Sequence, residues 1–203
     1  MRKRQKSAGF TAIFVLFSQI HPMSLPLSTL QYPIGKFERP AAMDAALIAR
    51  HIESIAHFPE RVNAALQDLD PNHLSWPYRP GGWSLRQLIH HCADSHMNAF
   101  IRFRLALTED NPAIKPYHQD GWSALADSQT APVEWSIDIL HGLHARWTAL
   151  MHSIQPDQWS RTAFHPEHKR EIPLWEFAAL YSWHCNHHLA HLEQGIAHKG
   201  QFD

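Results

Sequence analysis

The sequence predicts an all-α protein, a four-helix bundle with long connections between its second and third helices and between its third and fourth. Three observations carry this prediction. From Pro40 onward apolar residues recur at helical spacing, proline and glycine gather between four long periodic segments rather than inside them, and no alternating run is long enough for a sheet of any size. A chain of 203 residues with 44% apolar content can bury one core. One domain over residues 30–203 is expected, with residues 1–29 as a non-catalytic N-terminal extension.

The first helix is expected over residues 42–69, where Ala46, Ile48, Ile52, Ile55 and Leu66 keep the spacing; Pro59 inside it should kink or break it. Residues 71–82 hold Pro77, Pro80 and a glycine pair, which end one helix and start the next. Ser84 followed by Gln87 is a capping box, each side chain satisfying a backbone donor left free at a helix start, so the second helix begins there and runs to about Thr108. A polar connection over residues 109–131 carries Pro112, Pro116, Tyr117 and Trp122, and connections of that length are usually functional or mobile. The third helix has Pro132 in its first turn, carries Ile137, Leu140, Leu143, Trp147 and Leu150, and ends near Gln155. Residues 161–173 form another polar connection with room for a short hairpin, and the fourth helix covers residues 174–198.

Charge removes several functions. Eighteen Lys plus Arg against 19 Asp plus Glu give a formal charge of −1, without the basic footprint that nucleic-acid binding needs, so nucleic acid is not expected as a partner. Two cysteines, Cys92 and Cys185, are too few for a disulfide framework and suit a reducing, cytoplasmic location. Arg2, Lys3, Arg4 and Lys6 precede a short apolar run from Phe10 to Phe17, a weak secretory pattern without a clean cleavage site; an extension or a misassigned start before Met23 is the preferred reading. No segment reaches the ~20 apolar residues of a membrane helix, so no membrane association is expected. GxSxG, P-loop, GxGxxG and HExxH patterns are all absent.

Histidine is the unusual count, at 18, with no run of six to suggest a tag. The fourth helix contains Trp183-His184-Cys185-Asn186-His187-His188-Leu189-Ala190-His191, so two pairs, His184 with His188 and His187 with His191, have the four-residue spacing that returns to one face. Leu174, Ala178, Tyr181, Cys185, Leu189, Leu192 and Ile196 define the apolar stripe at about 100° per residue, which puts His188 inside it and His184 on its shoulder, with His187 turned furthest outward. In the second helix, Leu85, Leu88, Ile89, Cys92, Ala99 and Phe103 put His91 on the shoulder of the core and His90 on the solvent side. His91, His184 and His188 can therefore converge, and three neutral imidazoles suit one divalent ion such as Zn²⁺ or Ni²⁺ with coordination left open for water or substrate. Such an ion makes water or a thiol nucleophilic near neutral pH. An i,i+4 pair alone is weak in so histidine-rich a chain, and core histidines bonded only to one another and to backbone are the plain alternative. Cys92 and Cys185 are expected as core thiols.

At these residues the chain resembles a known family. Trp83-Ser84-Leu85-Arg86-Gln87-Leu88-Ile89-His90-His91 followed by Ala93-Asp94-Ser95-His96-Met97-Asn98, together with His184-x3-His188, resembles the DinB superfamily of metal-binding four-helix bundles, within it the YfiT branch. Tyr32-Pro33-Ile34-Gly35-Lys36-Phe37, Ile114-Lys115-Pro116-Tyr117, Leu143-His144-Ala145-Arg146-Trp147 and Arg161-Thr162-Ala163-Phe164-His165-Pro166-Glu167 carry the resemblance across residues 30–198. It implies a bundle of unusual helix order, a single Zn²⁺ or Ni²⁺ on His91, His184 and His188, and a homodimer. It also implies either a metal-dependent hydrolase or a thiol S-transferase using a low-molecular-weight thiol such as bacillithiol or glutathione, acting on a small molecule. A noncatalytic metal-binding or sensing bundle, its coordination closed by His96 or Cys185, is the alternative.

Other residues invite roles. Asp94, one turn beyond His91, could accept the far N–H of a ligand imidazole or lie solvated. His144 could serve as general base or as a hydrogen-bonded core histidine. Arg102 and Arg104 could hold an anionic thiol or make surface pairs, and Tyr117 could line the pocket mouth as a substrate contact.

Overall fold

The structure, a computed structural model, describes residues 26–202 of the chain. The expectations for residues 1–22 lie outside the described residues. α1 (Leu27–Gln31) is a single turn with Leu30 buried. α2 (Ala45–Ala56) starts where the Asp44 carboxylate accepts the backbone N–H groups of Ala46 and Leu47. It ends one residue before α3 (Phe58–Leu66), because Pro59 has no N–H with which to continue the ladder. The expected break at Pro59 thus divides the first long segment in two.

α4 (Leu85–Thr108) begins at the capping box: the Ser84 hydroxyl accepts from the Gln87 N–H, and the Gln87 side-chain carbonyl accepts from the Ser84 N–H. The connection after it is more ordered than its composition suggests, since α5 (Gln119–Ser123) and α6 (Ala126–Thr130) pack against α4. Pro132 is the N-cap residue of α7 (Val133–Ser153), just ahead of its first turn. The second connection holds β1 (Thr162–His165) and β2 (Arg170–Pro173), an antiparallel pair with Ala163 opposite Ile172, the only sheet among the described residues. α8 (Leu174–Ala197) follows directly, and the Glu176 carboxylate, buried in its first turn, is held by Arg39 and Arg170.

α4 packs against α7 and α8, and α2 with α3 packs against the same two helices. The first and second long segments are therefore diagonal, and α4 and α8 lie side by side. Phe58, Phe103, Trp147, Phe177, Leu85, Leu88, Leu140, Leu174, Leu189 and Leu192 fill the centre. No helix among the described residues is long and apolar enough to cross a membrane.

One contact fixes the end of the bundle near the site. Gly195 of α8 lies against the loop before α4, where an added Cβ would sit 2.6 Å from Leu85 Cδ2 and 3.0 Å from Tyr78 Cα. The neighbouring Gln194 amide donates to the carbonyl oxygen of Tyr78 at 2.8 Å. Gly195→Ala should therefore destabilise the protein by about 1–3 kcal/mol through overpacking, despite the ~1 kcal/mol that alanine gains over glycine in a helix. Urea unfolding measures this; a stabilised variant would show that the loop yields at no cost.

Candidate metal centre

Because α4 and α8 are neighbours, the side chains on their facing shoulders meet. His91 of α4 and His184 and His188 of α8 place one ligand atom each within 4.8 Å of the others. The ring centroids of His184 and His188 are 4.4 Å apart, and His91 lies 4.9 Å from His188 and 5.4 Å from His184. Trp83 packs against His91 at 4.8 Å between ring centroids. Burial pushes the His91 pKa down to about 4 and holds His184 and His188 well below the usual histidine range, so all three imidazoles keep a free lone pair at neutral pH. Neutral nitrogen donors drawn from two helices are a donor set that fits a borderline divalent cation.

The three rings open into a cavity of about 600 Å³, whose wall also includes Tyr32, Tyr78, Arg79, Trp183, His187 and His191, with Gln119 and Asp120 from the long connection. A second triad, His187, His188 and His191, also has its ligand atoms within 4.8 Å. The two triads share His188. Among the described residues, His187 Nδ1 is buried without a hydrogen-bond partner.

Here the structure corrects the helical-wheel expectation. His187 is not turned out to solvent: it is 7% exposed, stacked on Trp183 at 4.3 Å and on Tyr32 at 6.0 Å. His191 is likewise buried, against Tyr78, with the Gln31 carbonyl 3.2 Å from its Nε2. The chain around α1 and the loop carrying Tyr78 cover a face of α8 that its own periodicity marks as outer. His90, expected on the solvent side of its helix, is also buried: its Nδ1 is 2.7 Å from Ser136 Oγ and its Nε2 is 3.2 Å from the Ala131 carbonyl oxygen. The α6–α7 junction supplies those partners.

The remaining candidates fall into two groups. His144 is 1% exposed and has both nitrogens engaged, Nδ1 at 2.6 Å from the Ile55 carbonyl oxygen and Nε2 at 2.8 Å from His96 Nδ1. It is absent from the cavity wall, and both of its contacts lie in the core behind that wall. Asp94 is half-buried, its pKa raised to about 6 by burial and by Asp127, and its carboxylate makes no hydrogen bond to a ligand imidazole among the described residues. Histidines stand beside two of the candidate ligands: His96 Nε2 lies 3.0 Å from His184 Nδ1, and His191 Nδ1 lies 3.5 Å from His188 Nδ1. The sequence marks His96 only as an alternative ligand; its five-residue offset from His91, off the i,i+4 period, gives no signal for this role.

Arg102, Arg104 and Tyr117 are not in the cavity wall. Arg102 donates to Tyr181 Oη at 2.9 Å, Arg104 lies exposed over the Phe100 ring, and Tyr117 packs at a tilt against Trp122 with its pKa pushed up to about 12, chiefly by burial. Arg79 is the arginine that reaches the cavity wall.

The buried histidines make acid sensitivity predictable. Burial lowers His91, His144 and His187 to about 4 and His191 to about 3, against 6.5 for the exposed side chain. The unfolded chain then takes up protons below pH 6.5 that the folded state refuses, so the stability of metal-stripped protein should be full above that pH and fall steadily toward pH 4. Urea midpoints across this range test it; a flat profile would mean that the cluster accepts protons without unfolding.

A bundle whose facing helices bring neutral histidines together at the wall of an open cavity is a scaffold able to hold a metal ion. The chain belongs to the DinB superfamily: that family's model matches residues 55–192. It is 41% identical over 165 residues to the Bacillus subtilis protein named "Putative metal-dependent hydrolase YfiT", across 81% of this chain and 93% of that protein. A Bacillus mycoides protein bearing the same functional name is 43% identical over 166 residues, 82% of this chain and 95% of the relative. The solved structure of Bacillus subtilis YfiT, described as a probable metal-dependent hydrolase with an unusual four-helix bundle topology, superimposes with a TM-score of 0.82 at 40% identity, over 85% of this chain and 98% of that one. The four-helix bundle is thus shared with YfiT, and the relatives are named as metal-dependent enzymes.

Proposed function

We propose that the protein is a metal-dependent hydrolase of a small molecule, holding one divalent ion, Zn²⁺ or Ni²⁺, on His91, His184 and His188. The observation that supports this most is the convergence of three neutral imidazoles at the wall of a cavity, since three protein ligands leave coordination open on the side that substrate can reach. When bound, such an ion lowers the pKa of a water or thiol at its open position. The chain's own residues do the rest. His91, His184 and His188 would supply lone pairs and no charge to a bound ion, whose positive charge would then stay uncompensated and favour an anionic nucleophile. Trp83, Tyr78 and Trp183 wall the cavity with aromatic surface that binds the apolar part of a substrate and limits water.

A second reading, transfer of a low-molecular-weight thiol, is favoured by Arg79. It stands in the same wall, where its guanidinium can pair with the carboxylate of a peptide-like thiol. The two readings separate in one experiment: zinc- or nickel-loaded protein is assayed against activated esters, amides and alkyl halides, with and without bacillithiol or glutathione, beside metal-stripped protein. Turnover that needs the metal but no thiol is the expected result. Turnover that also requires thiol would replace hydrolysis by transfer, and metal binding without turnover of any kind would favour a noncatalytic, metal-sensing bundle.

A further inference from the structure

The histidines behind the ligands form two lines that each end on a backbone carbonyl. The first runs from His184 Nδ1 to His96 Nε2 at 3.0 Å, from His96 Nδ1 to His144 Nε2 at 2.8 Å, and from His144 Nδ1 to the Ile55 carbonyl oxygen at 2.6 Å. A carbonyl can only accept, so His144 carries its hydrogen on Nδ1. A neutral imidazole has one N–H; His144 Nε2 is therefore bare and accepts from His96 Nδ1–H, and His96 Nε2 is bare and accepts from His184 Nδ1–H. That leaves His184 Nε2 as a lone pair. Its one close neighbour of the hydrogen-bonding kind is the Ser95 hydroxyl at 3.4 Å, which can donate to it. The second line obeys the same parity: the Gln31 carbonyl lies 3.2 Å from His191 Nε2, and His191 Nδ1 lies 3.5 Å from His188 Nδ1, which leaves His188 Nε2 bare. Each of these nitrogen–nitrogen contacts needs a bare nitrogen as its acceptor, which two protonated rings could not supply.

The Ile55 carbonyl lacks its regular helical donor for a reason visible in the sequence. In an uninterrupted helix it would accept from the N–H of the residue four further on, which is Pro59 and has none. The break between α2 and α3 is thus also the anchor of the longer line.

We propose that His96, His144 and His191 are positioning residues that lock the two α8 ligands in the Nδ1–H tautomer and so present Nε2 of His184 and His188 to the ion. This rests on the metal-site reading above and assigns the histidines that reading leaves unused. Such partners orient the ring and raise ligand basicity, a part that a carboxylate or carbonyl plays at other metal sites. Using neutral histidines instead leaves the charge of the ion uncompensated.

Two measurements test it. In metal-stripped protein, ¹⁵N NMR of labelled histidine should show His144, His96 and His184 as Nδ1–H tautomers. His144→Leu, which removes the acceptor for His96 and breaks the line, should weaken zinc binding by about 10–100-fold. His144→Gln, whose amide can both donate toward Ile55 and accept from His96, should recover most of that loss. Zinc affinity is read by competition with a chromophoric chelator, and circular dichroism checks that each variant is folded. An Nε2–H tautomer at His184, or a folded His144→Leu protein that binds zinc as tightly as the unsubstituted chain, would overturn the proposal. So would equal losses in both variants, which would mark His144 as packing alone. Should the unsubstituted chain bind no zinc while the tautomers are as expected, the metal-site reading fails and the hydrogen-bonded lines stand.

Discussion

His188→Ala should abolish metal binding, because His188 is the one residue common to both histidine triads and contributes its ring to whichever of them holds the ion. The loss should exceed the roughly 10–100-fold that removal of an outer partner costs. It should also appear in stability: an ion present at about 1,000 times its dissociation constant stabilises the folded state by about 4 kcal/mol, so zinc should raise the melting temperature of the unsubstituted protein and leave that of His188→Ala unchanged. Without metal the two should unfold at similar temperatures. Zinc titrations followed by scanning calorimetry measure both quantities, and a zinc-dependent rise retained in the variant would remove His188 from the site.

Trp147→Ala should be the most destabilising single change in the core, at about 3–5 kcal/mol. Trp147 is fully buried in α7, with Phe103 at 5.5 Å and Tyr181 at 5.4 Å in edge-on ring contacts, and with His144 at 5.8 Å. It packs behind the longer histidine line, so its removal opens a void beside His96 and His144 as well as costing buried surface. Its indole Nε1 is buried with no hydrogen-bond partner among the described residues. Trp147→Phe should therefore cost much less than the alanine change, since it keeps much of the ring volume and deletes an unsatisfied donor. Urea unfolding gives both values, and equal costs for the two variants would show that the indole nitrogen makes a bond that matters.

The helices were legible in the sequence where a local device writes their ends: the Ser84–Gln87 box opens α4, Pro59 separates α2 from α3, and Pro132 precedes α7. The short hairpin lies in the connection where room for one was read. Position on a single helix also brought out His91, His184 and His188, because all three lie on faces that their own apolar stripes define. What failed were the outward placements, where a second element covers the first. His90 looks outward on α4 until the α6–α7 junction is laid across it, and His187 and His191 look outward on α8 until α1 and the Tyr78 loop close over them. A helical wheel contains no information about such cover. Asp94, one turn along the same helix, reads as either a partner of a ligand imidazole or a solvated carboxylate, whereas the side chains beside His184 and His188 are His96 and His191, reached through side-chain direction and not through sequence period. Arg102 and Arg104 follow the ligand helix away from the cavity, and the arginine in the wall, Arg79, comes from a loop that carried no motif.

The two overlapping triads make the decisive comparison simple. Zinc content and affinity should be measured for His91→Ala and His187→Ala, each purified without chelator or nickel resin and shown to be folded. If the ion is held by His91, His184 and His188, the unsubstituted chain binds one equivalent, His91→Ala binds none, and His187→Ala retains one equivalent with affinity little changed. If His187→Ala loses the ion while His91→Ala keeps it, the centre lies at His187, His188 and His191, and the assignment of His91 and His184 as ligands, with His96 and His144 supporting them, is wrong.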